Sequence, residues 1–339
     1  MKALSKATIY QVAQEAGVSI ATVSRALRGS ELVTPRTRER VATAARQLQF
    51  TPSPLGRSLA EGRHAANGIV FPDLIGPYYA EVVLGYEATA AAFAGSVLIL
   101  ATRGRPDPEA AVRELAGRVD GLTVMGQTVP DDVIAGLAAT GLPLVLLARD
   151  PVPGVDTVRA RNARTAGELA AHLAGHGYSR VAFLGDPQRS PDVAGRYTGL
   201  KAGLARAGVD LPAPVRLPAF DLESGEQAAR RLLRDDRRPQ AVVCANDEVA
   251  LGVLVAAEAA GRHVPGDLAV TGWDDLLAAR FAGLTTVRQP MRELGATAAR
   301  WLHRRITEDS HPSAARRRVL PTRLVVRRTC GFHSPEVDR

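Results

Sequence analysis

A chain of 339 residues is long for one domain and sufficient for two or three, and its 46% apolar content allows a large buried core. The net charge of +8 is unevenly placed: residues 1–64 hold ten basic and four acidic side chains, so a +6 module precedes 275 residues that carry only +2. That asymmetry suits a polyanion partner for the first module alone, and it excludes a uniformly basic or acidic chain.

The N-terminus Met1-Lys2-Ala3-Leu4-Ser5-Lys6 lacks the apolar segment of a secretory leader, and no run of eighteen apolar residues follows. A cytoplasmic chain without a membrane partner is expected. Cys244 and Cys330 lie far apart and outside any CxxC pattern, so neither a disulfide framework nor a metal is expected, and no cofactor is implied. Cys244, inside Ala241–Ala245, reads as a small buried hydrophobe.

Residues 8–50 carry helical periodicity only. Ile9, Val12, Ala13 and Ala16, then Val23, Ala26 and Leu27, recur at i, i+3, i+4. Thr8 is placed to cap a first helix, Gly17 to end it and Ser19 to cap a second. A third follows Thr34-Pro35, with Val41, Ala44, Ala45 and Leu48 on its apolar face. Two short helices joined by a glycine turn form a helix-turn-helix whose second helix can enter a major groove. Val12, Ala13, Val18, Val23 and Leu27 are its expected core. Ser19, Ile20, Ala21, Thr22, Ser24 and Arg25 are its expected exposed readers: hydroxyls for phosphates, the Arg25 guanidinium for a guanine edge, Ile20 and Ala21 for apolar contacts. Residues 51–67 read as a Pro- and Gly-rich linker in which Leu55, Leu59 and Ala60 keep a helical spacing.

From residue 68 short apolar runs alternate with Ala-rich amphipathic helices. The runs are Gly68–Phe71, Val97–Ala101, Gly121–Met125, Leu144–Leu147, Val181–Leu184, Ala241–Cys244 and Leu268–Thr271. This alternation predicts parallel, doubly wound α/β sheets, and its length predicts two such subdomains. In that architecture ligands bind beyond the carboxyl ends of the strands. Asp73, Tyr78, Tyr79, Gln127, Arg149, Arg196, Asn246, Asp247, Trp273 and Asp274 lie there. Their carboxylates, amides, guanidinium forks and rings suit a polar, ring-shaped ligand, although Asp247 also reads as a helix cap.

The run Thr8–Leu27 resembles the head of the LacI/GalR family of bacterial regulators, T-I-x-x-V-A-x-x-A-G-V-S-x-A-T-V-S-R-x-L, at every fixed position. Val33–Val41, Pro72-Asp73 with Pro77–Glu81, Arg118–Gly121, Gly195-Arg196, Cys244–Glu248 and Gly272–Asp275 extend the likeness to about residue 330. The resemblance implies a small all-α helix-turn-helix head (6–51), a hinge-helix linker (52–66), a periplasmic-binding-protein-like body (67–330) and a tail (331–339). Within the body, the N-subdomain is expected at about 67–159 and 290–316, and the C-subdomain at about 160–287 and 318–330. It further implies a homodimer on palindromic double-stranded operator DNA, acting as a repressor of carbohydrate-metabolism genes. A small sugar or sugar derivative in the inter-subdomain cleft would control it. The implied DNA contacts are Thr8, Tyr10, Ser19, Ile20, Ala21, Thr22, Ser24, Arg25, Arg28, Ser53, Gly56, Arg57 and Leu59, the last wedged between base steps in the minor groove. The implied effector contacts are Asp73, Tyr78, Tyr79, Gln127, Arg149, Arg196, Phe220, Asn246, Trp273 and Asp274.

Several residues depart from the family pattern. Gly56 replaces an alanine in the hinge, at a helix-propensity cost of about 1 kcal/mol. Arg28 and Phe50 stand where asparagine and tyrosine are common. Ala148 and Arg161 replace aspartates, which would favour an anionic ligand if both face the cleft. An activator, or a sugar-binding protein without regulatory role, are the competing readings. No GxSxG elbow, Walker loop, HExxH or paired cysteine ligands point to an enzyme.

Overall fold

The computed structural model describes residues 7–27, 29–50, 64–235, 238–308 and 314–331. It divides into two compact units, Met1–Ala65 and Ala66–Arg339.

In the first unit, α1 (Ile9–Ala16) opens with a reciprocal cap. Thr8 Oγ1 accepts from the Gln11 N–H at 3.4 Å, and Gln11 Oε1 accepts from the Thr8 N–H at 2.8 Å. Gly17, at φ 60°, closes it in the left-handed conformation that glycine adopts without a Cβ clash. The Ser19 hydroxyl accepts from the Thr22 N–H at the start of α2 (Ile20–Leu27), and Thr34 caps α3 (Pro35–Gln47). Val12, Ala13, Ala16, Val23, Ala26, Val33, Val41, Ala44 and Ala45 form one buried cluster, against which Val18, Leu48 and Phe50 pack. Leu27 departs from expectation: it is 36% exposed. Val23 and Ala26 set the inward face of α2, and the next residue is turned about 100° away from it.

In the second unit, a wholly parallel six-stranded sheet is built from β1 (Ala66–Phe71), β2 (Ser96–Ala101), β3 (Gly121–Met125), β4 (Leu144–Leu147), β5 (Asp156–Ala160) and β10 (Arg317–Leu320). Its order is β10-β5-β4-β3-β1-β2. A parallel three-stranded sheet runs β6-β7-β8 (Val181–Leu184, Ala241–Cys244, Ala269–Thr271). Successive side chains alternate between faces. Val70 and Leu122 thus enter one cluster of the first sheet while Ile69 and Phe71 enter the other; Phe183 and Leu184 divide likewise in the second.

The helices between are α4 (Pro77–Ala92), α5 (Pro108–Ala116), α6 (Asp131–Ala139), α7 (Asn162–Gly175), α8 (Pro191–Arg206), α9 (Leu222–Leu232), α10 (Asp247–Ala259) and α11 (Leu277–Ala282). After β9 (Thr286–Arg288) the chain enters α12 (Met291–Thr307), which packs on α4 in the first layer. There the backbones approach so closely that a Cβ on Gly85 would collide with the Arg292 carbonyl, and one on Gly295 with that of Val82.

Three crossovers join the layers. The antiparallel pair β9–β11 (Arg323–Val325) carries two of them, and residues 160–162 carry the third. The threads are tied together. Arg161 N–H donates to the Leu320 carbonyl, Thr322 Oγ1 to the Arg161 carbonyl at 2.8 Å, and Asp275 accepts from Arg288 at 2.5 Å and from Arg327 at 2.6 Å. Because β10 pairs with β5, residues 318–320 lie in the first sheet and the last passage follows Leu320, a correction to the boundary expected at 316–318. No described helix is long and apolar enough to cross a membrane.

Candidate functional site

In the first unit most of the residues around α2 that the sequence singled out face solvent. Thr8, Tyr10, Ser19, Ile20, Ala21 and Arg25 are exposed, and Thr22 and Ser24 are half-buried. Ser19 Oγ and Thr22 Oγ1 lie 2.8 Å apart, so the two hydroxyls share one position at the helix start. Arg38 is committed inward, its guanidinium donating to the Ser30 carbonyl at 3.0 Å, whereas Arg25, Arg36 and Arg40 are exposed. Phe50 lies against the core of the unit, where a ring without a hydroxyl fits. Arg28, Ser53, Gly56, Arg57 and Leu59, with the rest of the linker 51–63, lie outside the described residues.

In the second unit a cleft of about 490 Å³ opens beyond the carboxyl ends of the strands of both sheets. That volume is within the range of small-molecule sites. Asp73, Tyr78, Tyr79, Gln127, Arg196, Phe220, Asn246 and Asp274 line it, as do Arg103, Arg189, Asp192, Asp221 and Glu248.

The floor is a hydrogen-bonded relay. Arg196, in α8, donates through Nε to Asn162 Oδ1 at 3.1 Å and through Nη1 to the Ala245 carbonyl at 2.5 Å, while its guanidinium stacks 4.9 Å above the Trp273 ring. Asn162 Nδ2 donates to Asp192 at 2.8 Å, and Gln289 Nε2 to Asp274 at 2.6 Å. Asn246 spans two tasks: its carbonyl caps α10 by accepting from the Val249 N–H, and its amide donates to the Phe220 carbonyl at 2.8 Å. At the rim Arg103 pairs with Asp73 at 2.8 Å, and Arg189 donates to the Pro218 carbonyl. Tyr78 and Tyr79 stand edge to face, centroids 5.4 Å apart.

Burial raises the carboxyl of Asp274 to about 7, with Arg196 and the Gln289 bond opposing the shift. Burial likewise raises Asp192 and Glu248 above the ordinary carboxyl range, and holds both cleft tyrosines well above theirs. The Tyr78 hydroxyl is buried and makes no hydrogen bond within the described residues. Buried polar atoms are nearly always paired, so this hydroxyl is open to a donor or acceptor in the cleft.

Two expected contacts lie elsewhere. Arg149 is 2% exposed and turned away, donating to the Val129 carbonyl at 3.2 Å and pairing with Asp131, after a left-handed step at Ala148 (φ 52°). Trp273, 1% exposed, underlies Arg196 without lining the cleft. Asp247 is a fully buried anchor, accepting from Leu276 N–H and Thr286 Oγ1. Of the two departures that suggested an anionic ligand, Ala148 lines the cleft, but Arg161 is exposed at the start of α7 and outside it. Five carboxyl groups and three guanidinium groups line the cavity. Arg103, Arg189, Asp192 and Glu248 were not foreseen; Arg103 follows β2 and obeys the same beyond-the-strand rule.

Residues 8–53 match the model of bacterial regulatory proteins of the lacI family, and residues 170–330 that of the periplasmic binding protein-like domain. The chain is 32% identical over 296 residues to the HTH-type transcriptional repressor CytR of Escherichia coli (strain K12), covering 85% of this chain and 86% of that one. Among solved structures it resembles the lac repressor dimer bound to operator and the anti-inducer ONPF, with TM-score 0.84, 27% identity, and 96% and 99% of the two chains covered. It also resembles a complex of the transcriptional regulator CelR with cellobiose, with TM-score 0.71, 29% identity, and 95% and 99% covered. A helix-turn-helix whose second helix exposes Ser19, Ile20, Ala21 and Arg25 at its start and middle, a two-lobed α/β body with a ligand-sized cleft, and relatives of this kind along most of the chain lead to one assignment: the protein belongs to the lacI family of bacterial regulatory proteins and is a DNA-binding transcriptional regulator.

Proposed function

We propose that the protein is a homodimeric repressor of carbohydrate-metabolism genes, released from or held on a palindromic operator by an uncharged sugar or sugar derivative in the cleft. The carrying observation is the composition of that cavity: buried carboxylates at Asp192 and Asp274, the fixed Arg196 fork, the Asn246 amide, aromatic edges from Tyr78 and Tyr79, and an unpartnered buried Tyr78 hydroxyl. Such groups bind ring hydroxyls in pairs and cover the apolar face of a pyranose. Asp73, Gln127 and Phe220 complete the proposed contact set, with Arg103 and Glu248 added from the geometry. Binding and orientation account for every one of these groups, so no chemistry at the cleft is invoked.

On the head, Ser19, Thr22 and Ser24 hold phosphates, Arg25 reads a guanine, and Ile20 with Ala21 contacts apolar base edges. Two heads related by a two-fold axis supply the specificity that one lacks. Selection of operator DNA from a random library by the purified protein, repeated with neutral and phosphorylated sugars, tests the proposal. A palindromic consensus whose occupancy responds to a neutral sugar is expected. Sequence-indifferent binding would overturn the regulatory reading, and a response confined to phosphorylated sugars would overturn the effector class.

A further inference from the structure

Outside the cleft, a second constellation of donor atoms lies where the C-terminal turn meets the end of α7. His172 and His176 are one helical turn apart, and their rings stand edge to face with centroids 4.9 Å apart. Cys330, 158 residues further on, brings its Sγ to 3.2 Å from His172 Nε2. One donor atom from each of the three lies within 4.8 Å of the others. Tetrahedral zinc with Zn–N and Zn–S bonds near 2.0 and 2.3 Å sets its ligand atoms roughly 3.3–3.6 Å apart, so small side-chain rotations bring this trio to that span.

The surroundings prepare Cys330 for the role. Thr285 Oγ1 lies 2.9 Å from its Sγ, Tyr178 donates to its carbonyl at 3.2 Å, and the preceding Thr329 is held by the Thr285 N–H and the Val270 carbonyl. Thr285 Oγ1 also donates to the Arg327 carbonyl at 3.0 Å, so the hydroxyl that touches the sulfur is itself fixed in place. Gly331 closes the turn over the second imidazole so tightly that a Cβ there would sit 2.6 Å from His176 Cε1. His172 occupies the last turn of α7 and His176 its C-cap, where the helix dipole favours a cation. Cys244, by contrast, sits in an apolar cluster.

We infer that His172, His176 and Cys330 form a binding site for a soft divalent cation of the zinc type, fastening the C-terminal turn to α7 independently of the sugar cleft. The spacing conceals it because the cysteine comes from the far end of the chain; the i, i+4 histidine pair on a helix is the one signal the sequence carries.

The test uses full-length, tag-free, chelator-treated protein titrated with Co²⁺ and then with Zn²⁺. One equivalent of Co²⁺ is expected to bind, with a near-ultraviolet sulfur-to-cobalt charge-transfer band and tetrahedral visible absorption, both abolished by Zn²⁺. His176→Ala, at an exposed position, and Cys330→Ser should each weaken binding by more than the roughly 10–100-fold typical of second-layer changes. Cys244→Ala should leave it intact. Should Cys330→Ser fail to fold, the His176→Ala titration and the charge-transfer band in the parent protein still decide the matter. Absence of the band, or unchanged affinity in His176→Ala, would identify the trio as a thiol–imidazole hydrogen bond and overturn the inference.

Discussion

Replacing Arg196 by methionine keeps an unbranched apolar stem, shorter than the arginine, and removes the charge and the donors. Two hydrogen bonds to a charged group, to Asn162 Oδ1 and the Ala245 carbonyl, are each worth roughly 1.5–3 kcal/mol. The stack on Trp273 adds roughly 0.5–2 kcal/mol. Their sum is a ceiling, because the adjoining cleft lets water reach the released acceptors. The expected loss of unfolding free energy is therefore near the lower end, about 3–4 kcal/mol. It should also depend on pH. Arg196 opposes the upward shift of Asp274 and Asp192, so its removal raises both further. An acid whose pKa is raised by folding costs stability as pH rises from its unfolded value through its folded one. The loss should thus be larger at pH 8 than at pH 5. Urea unfolding of both proteins at the two pH values measures this; a loss under about 1 kcal/mol, equal at both, would refute the relay as drawn.

Three further outcomes are expected. Ala148→Gly relieves a left-handed residue worth about 1–2 kcal/mol, offset by about 0.5–1 kcal/mol of glycine flexibility and about 0.8 kcal/mol for the lost buried methyl, so an unfolding free energy within about 1 kcal/mol of the parent's is expected in chemical denaturation. Arg25→Ala should cost about 1–3 kcal/mol of operator affinity and relax one position of each half-site, read from binding to a panel of single-base variants. Asp274→Asn keeps the acceptor for Gln289 but removes a carboxyl that titrates near 7 instead of 3.8. The parent protein loses stability through this group as pH rises across that window, so the variant should gain relative to it between pH 5 and pH 8 in thermal melts.

The strands that a reader finds in the sequence are the apolar ones, including the partly exposed Ser96–Ala101. Ala241–Cys244 or Leu144–Leu147 are continuous apolar runs because helices cover both faces. Asp156–Ala160 and Arg317–Leu320 escape notice because charged residues interrupt them: Asp156, whose side chain is fully buried, accepts from Arg305 of α12 and from Arg316, and β10 is an edge with exposed arginines. The same logic divides the cleft. Positions directly beyond a strand, such as Asp73 and Asn246, are legible from the alternation alone. Asp192 is not, because it enters from the first turn of α8, and Arg149 misleads, because a backbone turn at the preceding residue sends its guanidinium to α6. The Leu27 error has the same origin in miniature, one residue deciding which way a short helix faces.

Asp275 holds Arg288 before one crossover and Arg327 after another, while Thr322 joins the third through the Arg161 carbonyl. Three threads laced at adjacent points behave as one flexible strip. Such a strip can bend about its own line, but sliding one thread against another must break the ion pairs to the buried Asp275. Across the two lobes, this lacing opposes a shear of one past the other more than a rotation that widens or narrows the cleft.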